Sequence, residues 1–339
     1  MNPFHFYRLE QEPFSNAPVS RFYFDSQQTQ AALLRVQRII SEMKGLAVVI
    51  GEIGAGKTTL ARKLLDSLPE SEYEAALLVI IHSGVTADWL LRRIAQQLGV
   101  QDPAKEKLQL LSQLYKRLLQ IAESGRKAVV LIDEAQMLQT REIMEEFRGV
   151  LNLEIPEKKL ITFVFFGLPE IEQNLKLDPP LLQRVAMKYR LNPMDHDSTV
   201  EYIEHRLKLA GATRDVFEPS AMRAIYEHSK GSPRLINTIA DNAIFEGALV
   251  QAPVITKEII DRVSQDLGLD LPVPPAPKVS IETIETVERM EPSFSKELHA
   301  DLFQDKKPQE ITGEHHFIRK EDEEHEGEKM IDELEETST

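Results

Sequence analysis

The chain has 339 residues, more than one hydrophobic core of ordinary size fills, and no cysteine, so two or more folded units are expected while disulfides, thiolate metal sites and a cysteine nucleophile are excluded. No run approaches ~18 consecutive apolar residues and residues 1–14 lack the basic-then-apolar layout of a secretory leader, which fits a cytoplasmic location. The net charge of −15 is uneven: from Leu271 onward 19 acidic and 8 basic residues carry −11, leaving −4 on residues 1–270 and no global basic footprint for nucleic acid.

Residues 27–250 alternate strand-like and helix-like patterns. Residues 46–50 form a short apolar run that ends in a glycine loop, and 57–68 is amphipathic, with Leu60, Leu64, Leu65 and Leu68 on one face. Residues 75–81 read as a buried strand, 86–98 and 105–122 as helices, 128–132 and 161–166 as buried strands, and 187–191 as a fifth strand. Continuous apolar strands spaced by helices mean a parallel sheet covered on both faces. Beyond Asp195 the strands stop and four helical patterns follow, at 196–210, 218–229, 233–249 and 256–267. The expected class is therefore an α/β P-loop core over residues 1–194, then an all-helical lid over 195–270. Residues 271–339 open on the proline-rich stretch Leu271-Pro-Val-Pro-Pro-Ala-Pro-Lys278 and end acidic, so they read as a linker and disordered tail, either purely solvating or carrying a partner-binding motif. His315, His316 and His325 in that tail read as solvated surface histidines, and Trp89 as a packing residue.

Four constellations carry chemistry. Gly51-Glu52-Ile53-Gly54-Ala55-Gly56-Lys57-Thr58-Thr59 lies between a buried strand and an amphipathic helix. Glycines there let backbone N–H groups curl round phosphates, Lys57 reaches the outer phosphates of ATP, and the Thr58 hydroxyl suits Mg²⁺. Asp133 and Glu134 end a buried strand, Asp133 as a metal-shell carboxylate and Glu134 as the base that polarises water; the plainer reading of Glu134 is a helix cap. Gln136 on the same turn reads equally as a contact to water or phosphate and as surface polarity. Gly231-Ser-Pro-Arg234 starts a helix and would aim Arg234 at the outermost phosphate. Arg184, just before the fifth strand, can face a neighbouring subunit's nucleotide as a finger or can be a solvated surface arginine.

Together these motifs resemble the AAA+ ATPases of the general secretion pathway protein A (ExeA) type and the related MSHA pilus-biogenesis (MshM) ATPases. The resemblance runs from about Tyr7 to Leu267. Besides the blocks above it rests on Pro13-Phe14, Arg21-Phe-Tyr-Phe-Asp-Ser26, Glu145-Glu-Phe-Arg148, Asn152-Leu-Glu154, Gly167-Leu-Pro-Glu170, Gln183-Arg184, Tyr202-Ile-Glu-His-Arg-Leu207 and Gly231-Ser-Pro-Arg-Leu-Ile-Asn237. It implies an oligomer-forming, Mg²⁺-dependent cytoplasmic ATPase, held at the inner membrane through a secretion or pilus component and without nucleic acid. Two departures modify that expectation. Family members carry Gln where this chain has Leu168, which cannot hydrogen-bond through its side chain; this argues for slow hydrolysis and hence a nucleotide-gated switch. Secretion-type members also continue into a membrane span and a peptidoglycan-binding domain that this sequence does not show, which favours the shorter, pilus-type members. A helper ATPase acting on DNA is the remaining alternative, disfavoured by the acidic body.

Overall fold

A computed structural model describes residues 2–17, 20–156 and 158–269. Its elements begin with α1 (Pro3–Phe6), α2 (Gln27–Ser41), β1 (Leu46–Gly51), α3 (Lys57–Asp66), β2 (Tyr73–Val79), α4 (Ala87–Gln97), α5 (Lys107–Glu123) and β3 (Lys127–Asp133). There follow α6 (Arg141–Leu151), a small hairpin of β4 (Glu154–Ile155) and β5 (Lys158–Lys159), β6 (Ile161–Gly167), α7 (Ile171–Leu175), α8 (Pro179–Leu182) and β7 (Val185–Leu191). Four helices close the described chain: α9 (His196–Leu209), α10 (Pro219–Ser229), α11 (Pro233–Leu249) and α12 (Lys257–Asp266).

Five strands pair in the order β2-β3-β6-β1-β7, every neighbouring pair parallel. The three inner strands are largely apolar because both of their faces are covered, with Thr162 buried in β6 and Lys127 and Asp133 at the two ends of β3. Alternate residues of β1 separate onto the two faces: Val48 and Ile50 pack with α4, α5 and α6, while Ala47 and Val49 pack with α2 and α3. The edge strand β7 instead alternates partly buried Met187 and Tyr189 with exposed Lys188 and Arg190, as a strand with one solvated face must. The expected α/β core with a parallel sheet is therefore present, and the sequence pattern located each of its five main strands.

Some boundaries moved. The strand expected at 75–81 runs two residues earlier, since β2 pairs with β3 from Tyr73↔Lys127 to Val79↔Asp133 and the ladder ends with β3. Ile81, expected in the strand, is 83% exposed. The helices α2 and α6 were not marked by the periodicity reading, though each buries an apolar stripe: Ala32, Val36, Ile39 and Ile40 in α2, and Ile143, Met144, Phe147, Val150 and Leu151 in α6. Trp89 on α4 is 43% exposed, so it packs less than expected.

Helices α9–α12 enclose a separate hydrophobic cluster. The N-terminal segment, grouped with the sheet by its position in the sequence, contributes Tyr7, Leu9 and Phe14 to this helical cluster. Backbone and side chain both fasten it there: the Tyr7 hydroxyl donates to Ala252 O at 3.0 Å, Glu10 N donates to Ala210 O at 2.9 Å, and Arg206 Nη1 donates to Pro13 O at 2.9 Å. The Arg206 guanidinium lies over the rings of Phe22 and Tyr202, 5.3 and 5.1 Å from their centroids, so a buried cation gains π partners as well as carbonyls. The acidic tail expected at 271–339 lies outside the described residues.

Candidate functional site

In a parallel sheet the carboxyl ends of all strands lie on one edge, and loops leaving that edge converge. β1 runs into the glycine loop there, and β3 ends at Asp133 on the same edge. β6 lies between them, its Phe165 beside Ile132 and its Gly167 beside Ile50. Residues some 75 positions apart thus meet: the Thr58 hydroxyl donates to Asp133 Oδ2 at 2.6 Å.

The loop is shaped to wrap around something small and negative. Lys57 begins α3, whose N-terminus is capped by Gly56 with no side-chain acceptor, so the first-turn N–H groups face the loop. Lys57 is 7% exposed, and its ammonium folds back over the loop to donate to Gly51 O at 2.9 Å and Glu52 O at 3.0 Å. Burial pushes the Lys57 ammonium down from the usual lysine range, opposed by the nearby carboxylates of Glu134, Asp133, Glu52 and Glu170. Burial likewise pushes the Asp133 carboxyl up, opposed by the Thr58 hydroxyl and the Glu134 amide that donate to it. A buried cation and a buried anion, each carrying a desolvation cost, are suited to an anionic ligand with a bound cation. Thr58 and Asp133 offer a hydroxyl and a carboxylate 2.6 Å apart, hard oxygen donors of the kind Mg²⁺ takes alongside phosphate and water. Among the described residues no group of three or more His, Asp or Glu could hold a metal without such a ligand.

Glu134 follows directly, with a left-handed backbone (φ 56°, ψ 36°) that most side chains avoid. It opens the 3₁₀ turn Ala135–Met137 but makes no side-chain cap bond to it. The capping role considered for Glu134 is thus absent, and its carboxylate instead accepts from Gln136 Nε2 at 2.5 Å.

The turn of Gly231, Ser232, Pro233 and Arg234, at the start of α11, is pressed onto the same loop. Arg234 N points to Gly54 O at 3.4 Å, and a Cβ on Gly54 would lie 2.7 Å from Arg234 Cβ. Gly54 also has φ +77°, so both conformation and close approach require glycine. Arg234 therefore stands beside the loop with its side chain exposed. Ile53 at the loop's crest is 70% exposed, and Ala55, Thr58 and Thr59 are half-buried.

Arg184 is not brought to this site. It directly precedes β7, and the register Leu46↔Val185 and Gly51↔Leu191 puts it at the opposite, amino-terminal edge of the sheet. Five strand residues at about 3.3 Å each separate the two edges by roughly 17 Å. Arg184 is half-buried, and its backbone N–H donates to Leu181 O at 2.9 Å. Gln136, read from the sequence as a contact to water or phosphate or as surface polarity, is buried to 5% exposure and bonds to the Glu134 carboxylate and the Leu168 N–H. Its place three residues after Asp133 was visible, but its contact to Leu168 was not.

A strand, a glycine loop, an uncapped helix and an acidic strand end on one edge define a P-loop NTPase core, and residues 40–175 match the family model described as an AAA domain. The chain is 35% identical over 242 residues to General secretion pathway protein A of Aeromonas hydrophila, a match covering 70% of this chain and 44% of that protein. The resemblance to AAA+ ATPases of the general secretion pathway protein A type is thereby borne out, while the chain spans less than half the length of that relative. Among solved structures it is similar to the ORC2 protein of Aeropyrum pernix (TM-score 0.58, 15% identity, 76% of this chain and 72% of that one). It is also similar to Cdc6p of Pyrobaculum aerophilum (0.57, 18%, 77% and 74%) and to a Walker-type ATPase of Pyrococcus abyssi (0.55, 17%, 82% and 79%). At these identities the likeness is one of fold. No helix among the described residues is long and apolar enough to cross a membrane.

Proposed function

We propose that this chain binds ATP with Mg²⁺ and hydrolyses it as a homo-oligomer, serving as an assembly ATPase for a type II secretion or type IV pilus-like envelope machine. The observation that carries the chemistry is the 2.6 Å contact of Thr58 with Asp133 beneath a loop holding a buried lysine. The backbone N–H groups of the loop and Lys57 would bind the phosphates, and Arg234 would read the outermost one from the helical domain, which then acts as a lid. Thr58 and Asp133 would hold Mg²⁺, which when bound would neutralise charge at the phosphates. Glu134, which makes no cap bond to the backbone of its turn, would orient the attacking water and take its proton. The secretion role is supported by the relative's name; on that reading the protein would work in the cytoplasm against an inner-membrane component, and the net charge of −4 on residues 1–270 argues against nucleic acid.

Arg184 is the reason for an oligomer. At roughly 17 Å from its own loop along the strands it cannot reach its own nucleotide, and it would act instead on a neighbouring copy's. The test is phosphate release measured against protein concentration. Wild type should rise more than linearly. Glu134→Gln should bind ATP yet hydrolyse at least ~10²-fold more slowly. Arg184→Ala should bind ATP, hydrolyse about 10³-fold more slowly, and regain activity when mixed with Lys57→Ala protein. A flat specific activity with a wild-type rate for Arg184→Ala would leave a monomeric switch instead.

A further inference from the structure

We propose that Gln136 is the positioning residue for Glu134, and that it supplies from the turn after β3 the polar link to the end of β6 that Leu168 cannot make with its side chain. The proposal rests on the reading of Glu134 as the base.

The amide of Gln136 is used at both ends. Its oxygen accepts from the Leu168 backbone N–H at 3.1 Å, and its nitrogen donates to Glu134 Oε2 at 2.5 Å. The assignment follows from the neighbours: a backbone N–H can only donate and a carboxylate only accept, so the oxygen must face Leu168 and the nitrogen Glu134. The residue's own carbonyl accepts from Asn174 Nδ2 on α7 at 2.8 Å, which pins its backbone to the helix after β6. Room for the amide comes from Gly167, where an added Cβ would lie 3.2 Å from Gln136 Oε1. Gln136 is thus held by β6 and α7, and it in turn holds the one side chain of the acidic pair that its own turn leaves uncapped.

The topology gives this link a purpose. β6 lies between β1 and β3, so its end sits between the glycine loop and Glu134. Any shift of the β6 end on nucleotide binding reaches the Glu134 carboxylate through one buried amide. A base displaced by about 1 Å can lose ~10²-fold in rate, so the link controls turnover without touching the phosphates.

The experiment measures ATP affinity, KM and kcat for wild type, Gln136→Met, Asn174→Ala, Glu134→Gln and the double variant Glu134→Gln/Gln136→Met. Methionine keeps the volume of glutamine and removes both amide bonds. We expect Gln136→Met to lower kcat about tenfold or more, with KM and ATP affinity within about twofold of wild type. Asn174→Ala, which loosens the pin but keeps the amide, should lower kcat by a smaller factor. In the Glu134→Gln background, Gln136→Met should cause no further loss, because its effect passes through Glu134; a purely structural role would lower the rate again. If Gln136→Met does not fold, Asn174→Ala alone decides, an unchanged kcat overturning the proposal. Gln136→Met with wild-type kcat, or with additive loss in the double variant, overturns it while leaving Glu134 as the base. Glu134→Gln as fast as wild type overturns the base reading itself and the positioning role with it.

Discussion

The sheet edge and the helical domain reach the candidate site by different routes. On the edge, each functional group belongs to a segment whose own pattern dictates its place: an apolar strand, a turn, a polar residue at the strand's end. Thr58 and Asp133 meet because parallel strands deliver their carboxyl ends together. The helical domain brings a single turn, and that turn is placed by packing. Gly231 has φ +74°, and a Cβ there would fall 1.8 Å from Met194 O, while its own carbonyl accepts from Met194 N at 2.9 Å. Its cluster is completed by Tyr7, Leu9 and Phe14 from the other end of the chain. Chemistry at the edge is therefore locally encoded, and its coupling to the helices depends on distant parts of the chain fitting together.

Lys57→Ala attacks the first half of that comparison and should have the largest effect. Among the described residues the ammonium bonds to the carbonyls of Gly51 and Glu52, so the fold should persist, with an unchanged circular dichroism spectrum. Two charge-assisted phosphate contacts at about 1.5–3 kcal/mol each give a loss of roughly 10²–10⁴ in ATP affinity, measured by isothermal titration with Mg²⁺. Unchanged affinity would mean the loop is not the site.

Gly231→Ala attacks the second half. A left-handed residue with a Cβ against a backbone oxygen should cost about 2–3 kcal/mol and lower the melting temperature by several degrees. Because the same turn carries Arg234, hydrolysis should fall further than ATP binding. A protein with wild-type turnover would show that the helical domain does not act on the nucleotide.

Tyr7→Phe sharpens the comparison with the smallest change. It deletes the bond to Ala252 O, worth about 1 kcal/mol, from a ring that otherwise stays packed. Chemical denaturation should detect that loss, with ATP affinity untouched. A change in affinity would mean the N-terminal segment communicates with the loop.

Much of the core was legible because its signals are short-range. Five apolar runs, a glycine loop at the end of one and an acidic pair at the end of another have few ways to converge in a parallel sheet, since burial of both faces and right-handed crossovers leave few arrangements. The helices after Asp195 were legible by their period. What was missed belongs to a different kind of contact. Helices α2 and α6 carry stripes that mean little until a sheet face is known to need covering, and Ile81 looked like strand until β3 ended before it.

By itself the sequence determined the loop, the acids and the order of strands and helices, because residue spacing along an element sets which face and which end a side chain occupies. Only the tertiary structure decided that residues 2–17 complete the helical cluster and that the Gln136 amide spans Glu134 and the Leu168 N–H. Each of these joins segments with no shared local pattern. Their pairing follows from buried polar groups needing partners and apolar side chains needing cover, conditions that exist only once the chain has closed on itself.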